Sequence, residues 1–166
     1  MALVLDGSLG VTFPVTAGSA SAVQASSGRV LQVVNATYST TVSTSSSSYL
    51  DTGLTATITP SSTTSKILVI VDQNGVYADG SANQGLDIIL LRGSTTLAKI
   101  GGRAAGDKAV SVIMSIGSVS SNYLDSPSTT SATTYKTQFT SNSNAATTYV
   151  QVYSSVSTIT LMEIAA

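Results

Sequence analysis

Ser65-Lys66-Ile67-Leu68-Val69-Ile70-Val71-Asp72 holds five apolar residues without a break. Elsewhere the pattern alternates. Leu54, Ala56 and Ile58 are interleaved with Thr55, Thr57 and Thr59, and Tyr135, Thr137 and Phe139 with Lys136, Gln138 and Thr140. Period-two alternation marks a strand with one buried and one solvated face. An unbroken run marks a strand covered on both. Ile88-Ile89-Leu90-Leu91 is a second such run. One face of each belongs to a core, and loops or a second subunit can cover the other. Two runs in a chain with little charge to keep a monomer soluble favour the subunit.

Working outward, strand-like segments follow one another with turn residues between them. They are Val30–Tyr38, Leu54–Thr59, Lys66–Asp72, Gly85–Arg92, Thr95–Ile100, Ala109–Ser115, Tyr135–Thr140, Thr147–Tyr153 and Thr158–Ile164. Ser43–Ser48, Pro60–Ser65, Asp79-Gly80, Gly101-Gly102, Asp125–Ser131 and Asn142–Asn144 separate them. No segment has a 3.6-residue apolar period, so essentially no helix is expected. The reading is all-β: an antiparallel, jelly-roll-like β-sandwich head over residues 29–166.

Composition narrows the function. The 166 residues include 29 Ser and 24 Thr, against seven Lys and Arg, eight Asp and Glu, and no His, Cys or Trp. Thiol chemistry, zinc fingers, haem ligation and a Ser-His-Asp triad are excluded. A net charge of -1 without basic clusters argues against nucleic acid as a partner. No apolar run approaches the ~18 residues of a membrane span, so no membrane insertion is expected. The Met1–Ala25 stretch lacks a basic n-region, and Asp6, Gly7 and Gly10 interrupt its apolar part, which argues against a secretory signal.

The candidate chemistry is thin. Gly101–Lys108 has phosphate-loop glycine spacing but no Lys directly after Gly106. Asp72, Asn74 and Asp79 do not match a calcium loop and read as turn chemistry. Glu163 shares a strand face with Ile159 and Leu161, so an inward salt bridge to Lys or Arg is expected. Tyr49, Tyr77 and Tyr123 fall in apparent loops and are candidates for contact with a host glycan or protein; rim packing is the plainer alternative. No catalytic residue, cofactor or metal is expected.

Residues 1–28 stand apart. Leu3–Leu5 and Val11–Phe13 are short β-like pieces around Asp6-Gly7-Ser8, followed by a Gly/Ser/Ala stretch. Alone they bury too little to offset the entropy of ordering. Packing against copies or a partner is required, which makes this segment an extended anchor or stem.

Leu5–Pro14, Val23-Gln24-Ala25 and Gly28–Val34 resemble the opening of tail-fibre-like and capsid-fibre-like proteins of bacteriophages. Tyr49–Leu54, Ile58–Ser62, Ser65–Val69 and Ser157–Ile164 resemble the same group; Val15–Ala20 departs from it. The resemblance implies a homotrimeric virion appendage at the particle surface, joined to other virion proteins through residues 1–28. The head is also similar to the trimeric jelly rolls of tumour-necrosis-factor-like domains, in which an apolar strand from each subunit meets at the axis. The expected oligomer interface is Leu3, Leu5, Val11, Phe13, Ile67, Val69, Val71, Ile88 and Leu90. The expected function is a non-enzymatic fibre or decoration protein that contributes to host-surface adhesion. A bacterial adhesin or pilin-like subunit is the alternative, and it would require an export signal.

Overall fold

The computed structural model describes residues 4–6, 10–12, 28–79, 85–102, 117–141 and 147–166. β1 (Val4–Asp6) and β2 (Gly10–Thr12) pair antiparallel, with Leu5 opposite Val11. Leu3 and Phe13 lie outside the described residues. The head comprises β3 (Val30–Tyr38), β4 (Val42–Thr44), β5 (Leu50–Ile58), β6 (Lys66–Asp79), β7 (Leu86–Arg92), β8 (Thr95–Gly102), β9 (Gly117–Asp125), β10 (Thr133–Ser141), β11 (Thr147–Val150) and β12 (Ser157–Ile164). A single 3₁₀ turn, Val152–Ser154, is the only helical element among the described residues.

The sandwich has eight long strands. β12 lies along Lys66–Asp72 of β6, and β11 continues on the same line along Tyr77–Asp79. β3 and β4 run in the same way along β12 and β11. Counting each interrupted pair as one strand, the first sheet runs β3/β4, β12/β11, β6, β9 and the second β5, β10, β7, β8, all antiparallel. That order is a jelly roll of two interlocked Greek keys. The fold is the expected all-β sandwich.

The expected strand Ala109–Ser115 lies outside the described residues. Two differences from the sequence reading have physical causes. β9 takes a stretch with Ser118, Ser120 and Ser121, where propensity is weak. Pairing along the exposed edge of β6 makes it a strand. The expected strand Thr147–Tyr153 ends at Val150, because Gly75 on β6 faces the 151–155 loop. A Cβ at Gly75, whose φ is +61°, would lie 2.6 Å from the Val152 nitrogen and 2.9 Å from the Ser155 Cβ.

Odd-numbered residues of β6 fill the core. Ile67, Val69 and Val71 pack with Leu54, Ile58, Leu90, Tyr135, Ile159 and Leu161. A second cluster joins Leu86, Ile88, Phe139 and Val150. Hydrogen bonds tie the sheets at both ends. In the row of Ile67, Arg92 donates to both oxygens of Asp125 at 2.9 and 2.8 Å, and the Tyr135 hydroxyl donates to Asp125 at 2.7 Å. Burial, then the Asp125 carboxylate, pushes the Tyr135 pKa up, so the hydroxyl stays protonated as donor. Toward the other end Thr137 donates to Gln73 at 3.0 Å, and Gln73 donates to Ser157 at 2.9 Å.

Glu163 is fully buried and inward-facing, but the expected Lys or Arg partner is replaced by hydroxyls and amides. Its carboxylate accepts from the Ser61 backbone N–H at 2.7 Å, the Ser61 hydroxyl at 2.6 Å and Gln32 at 2.6 Å. Burial pushes its pKa up, yet bonds from the Ser61 hydroxyl, Gln32, Ser65 and the Ser61 backbone outweigh it and hold the value at about 2. Because the folded-state value is depressed, the stabilisation is complete above the ordinary value of 4.5 and is lost as pH falls toward 2. Glu163→Gln is expected to cost about 2–3 kcal/mol at pH 7 in urea unfolding. The gap between variant and parent should narrow as the titration is repeated from pH 4.5 down to pH 2.5; a constant gap would contradict the assignment.

Candidate functional site

The two sheets present opposite outer surfaces. On the β5–β10–β7–β8 sheet the outward residues include Thr55, Thr57, Thr134 and Gln138, with the ion pairs Lys136–Asp51 at 2.8 Å and Lys99–Asp87 at 2.7 Å. On the β3–β12–β6–β9 sheet the register aligns Val33, Met162, Leu68 and Leu124 in one row across four strands. The next row is Asn35, Thr160, Ile70 and Asn122. Leu124 is 58% exposed, Val33 55% and Ile70 38%; Leu31, on the same strand as Val33, is also exposed. Lys66 and Asp72 bracket this surface along β6. Lys66 donates to Ser126, and Asp72 accepts from Ser120 and Asn74. Between them no charge intervenes. A contiguous exposed apolar patch ringed by polar groups is the usual mark of an interaction surface.

This arrangement corrects the expected interface. Ile67, Val69, Val71, Ile88 and Leu90 are at most 1% exposed within a single chain, so none can meet a neighbour. The doubly covered reading of the first run was assigned the wrong phase: Leu68 and Ile70 face out. Charge at its ends carries the phase, since Lys66 and Asp72 share the even parity of Leu68 and Ile70. In the second run Ile89 and Leu91, opposite Ile88 and Leu90, are themselves buried in the one chain, so that run needs no subunit. Leu5 and Val11 are described only as backbone partners.

The tyrosines also divide. Tyr77 is buried on β6, its ring 5.3 Å from that of Tyr149. Tyr123 lies on β9, faces inward and packs against the core. Burial closes Tyr77 to a ligand, Tyr123 is partly buried, and both sit in strands rather than in the expected loops. Tyr49, just before β5, remains 41% exposed. The sequence reading missed Tyr153, which is 84% exposed.

Gly28 donates to the Ala165 carbonyl and Ala165 to that of Arg29, so the N-terminal segment joins the head beside the end of β12. That entry lies at the end of the sheet where Lys66 pairs with Ile164. Strands β6, β8 and β10 run toward the opposite end and finish there.

No protein-family model and no curated protein matches the chain in sequence. Among solved structures, the structure of infectious bursal disease virus Gx strain aligns with a TM-score of 0.36 and 14% identity. The alignment covers 100% of this chain and 42% of that one, so the chain spans less than half of its length. A likeness at that score says nothing of role, and the fold class rests on the strand order.

The parity assignment is directly testable. Val69→Asp places a carboxylate in the core without a partner, at a cost above about 4 kcal/mol, enough to unfold a marginally stable domain. Leu68→Asp, one residue away, is expected to retain the parent's β-rich circular dichroism and a cooperative melt. Equal damage from both substitutions would refute the assignment.

Proposed function

We propose that the chain is a non-enzymatic structural subunit of a phage particle: a homotrimeric fibre or decoration protein. Residues 1–28 attach it to other virion proteins, and the head projects outward and contributes to host-surface adhesion. The observation that carries the reading is the Val33–Met162–Leu68–Leu124 row, an uncharged apolar strip open to solvent; Ile89 and Leu91, outward on the other sheet, are buried within the chain. Around a three-fold axis each copy sets this sheet against a different surface of its neighbour, and an apolar face without charge can be buried there without leaving an unpaired ion. The charges of the other sheet are paired at its outer surface and suit solvent. The entry of residue 28 at the end of the same sheet supports a stem, since copies joined through that sheet would bring their N-terminal segments together. The sequence resemblance of Leu5–Pro14 and Gly28–Val34 to fibre proteins supports the particle as the site of attachment.

Size-exclusion chromatography with light scattering is expected to give three times the chain mass at micromolar concentration. Val33→Asp and Leu124→Asp, both on exposed positions, should shift the mass to that of one chain while the circular dichroism stays unchanged. A parent protein that is monomeric, or variants that remain trimeric, would overturn the assembly. Deletion of residues 1–28 should leave a folded head absent from purified particles.

A further inference from the structure

We infer that the loop of residues 151–156 is a preorganised binding site for an uncharged hexose glycan, with the Tyr153 ring as its stacking surface. The inference deepens the adhesive part of the function proposed above and rests on it.

The loop interrupts the line of β11 and β12 opposite Gly75 and turns Tyr153 outward, so that a residue expected inside a strand becomes the most exposed large hydrophobic side chain among the described residues. It is held there at a conformational cost. Gln151, Tyr153 and Ser154 have φ of 55°, 54° and 58°, three left-handed non-glycine residues within four positions. Each such residue is unfavourable, and clusters of them persist where surrounding structure fixes them, commonly at functional sites.

The surroundings here anchor the loop on both sides of Tyr153. Gln151 is fully buried; its N–H donates to the Asn74 carbonyl at 3.0 Å, and its carbonyl accepts from Thr41 at 2.8 Å. Asn74 donates to the Val156 carbonyl at 2.7 Å, and Ser155 closes the turn onto the Val152 carbonyl. With the backbone anchored on both sides of Tyr153, little of the loop's freedom is left to lose when a ligand arrives, which favours a small contact.

The chemistry of the surface selects the ligand. No residue from 147 to 162 is charged, and the neighbouring Ser39, Thr40 and Thr41 add hydroxyls. The Asp72 carboxylate is occupied by Ser120 and Asn74. An acidic polymer would require Lys or Arg, and a protein partner a wider apolar centre than one ring and the half-exposed Val156. The C–H face of a neutral pyranose requires an aromatic plane, and its hydroxyls require uncharged polar neighbours.

Native electrophoresis of the full chain through gels containing dextran, mannan or galactan, with alginate as the acidic control, tests this. Retardation is expected in at least one neutral polymer and not in alginate. Tyr153→Ala should weaken it tenfold or more with an unchanged melting temperature, whereas Tyr153→Phe should keep it within about threefold of the parent. Absence of retardation in all three neutral polymers, retardation in alginate of equal strength, or parent-like behaviour of Tyr153→Ala would overturn the inference. Light scattering on the same samples separates the two readings. A trimer without retardation overturns the glycan site alone, and a retarded monomer overturns the assembly alone.

Discussion

The phase of β6 is the constraint on which the rest of the head depends. This strand pairs with β12, β11 and β9, so its alternation fixes the alternation of every neighbour in its sheet. With Ile67, Val69 and Val71 inward, the register carries Val34, Leu161 and Tyr123 inward in one row, and Ala36, Ile159 and Ser121 in the next. A slip of one residue would exchange the whole set, placing Asp72 and Lys66 in the core. Two charges at the flanks of an apolar run therefore select between two packings that the run itself does not distinguish.

From that phase follows the asymmetry of the two outer surfaces. Both sheets shed polar side chains outward, but among the described residues only the β5–β10–β7–β8 sheet carries outward ion pairs. Surface ion pairs contribute little to stability, so their placement bears mainly on solubility and on which face can associate. The apolar row opposite is a cost to a monomer in water and a gain to an assembly. The sequence feature that suggested self-association is thus real in the fold, though it acts through Leu68 and Ile70 rather than through the buried residues beside them.

Most of the strand architecture was legible because period-two alternation is a local property. Val30–Tyr38 is matched to the residue, and Tyr135–Thr140 lies within β10. What was hidden depends on distant partners. β9 has inward residues Val119, Ser121, Tyr123 and Asp125, a mixed set that reads as a strand only beside β6. Tyr123 was hidden with it. Tyr77 read as a loop residue because Asp72, Asn74 and Asp79 around it read as turn chemistry, whereas β6 passes through an irregularity at Gln73–Val76 and continues to Asp79. Tyr153 was hidden for the converse reason: Thr147–Tyr153 has strand composition, and the interruption comes from Gly75, far away in sequence. No local signal reports it.

The scarcity of charge has a counterpart in the interior. Glu163 is buried with no cation, and the buried Gln73, Thr137, Thr52 and Ser157 form a chain of neutral hydrogen bonds between the sheets. Hydroxyl groups suit both places. A Ser or Thr side chain both donates and accepts, so it can satisfy a buried carboxylate or amide without adding a charge that itself needs burial partners. Asp125 shows the exception: it needs Arg92 as well as Tyr135, at the rim where the guanidinium stays partly solvated. A chain that assigns polar work to hydroxyls can keep one outer face free of charge without weakening its core. The abundance of Ser and Thr and the uncharged apolar row are then two consequences of the same economy of charge.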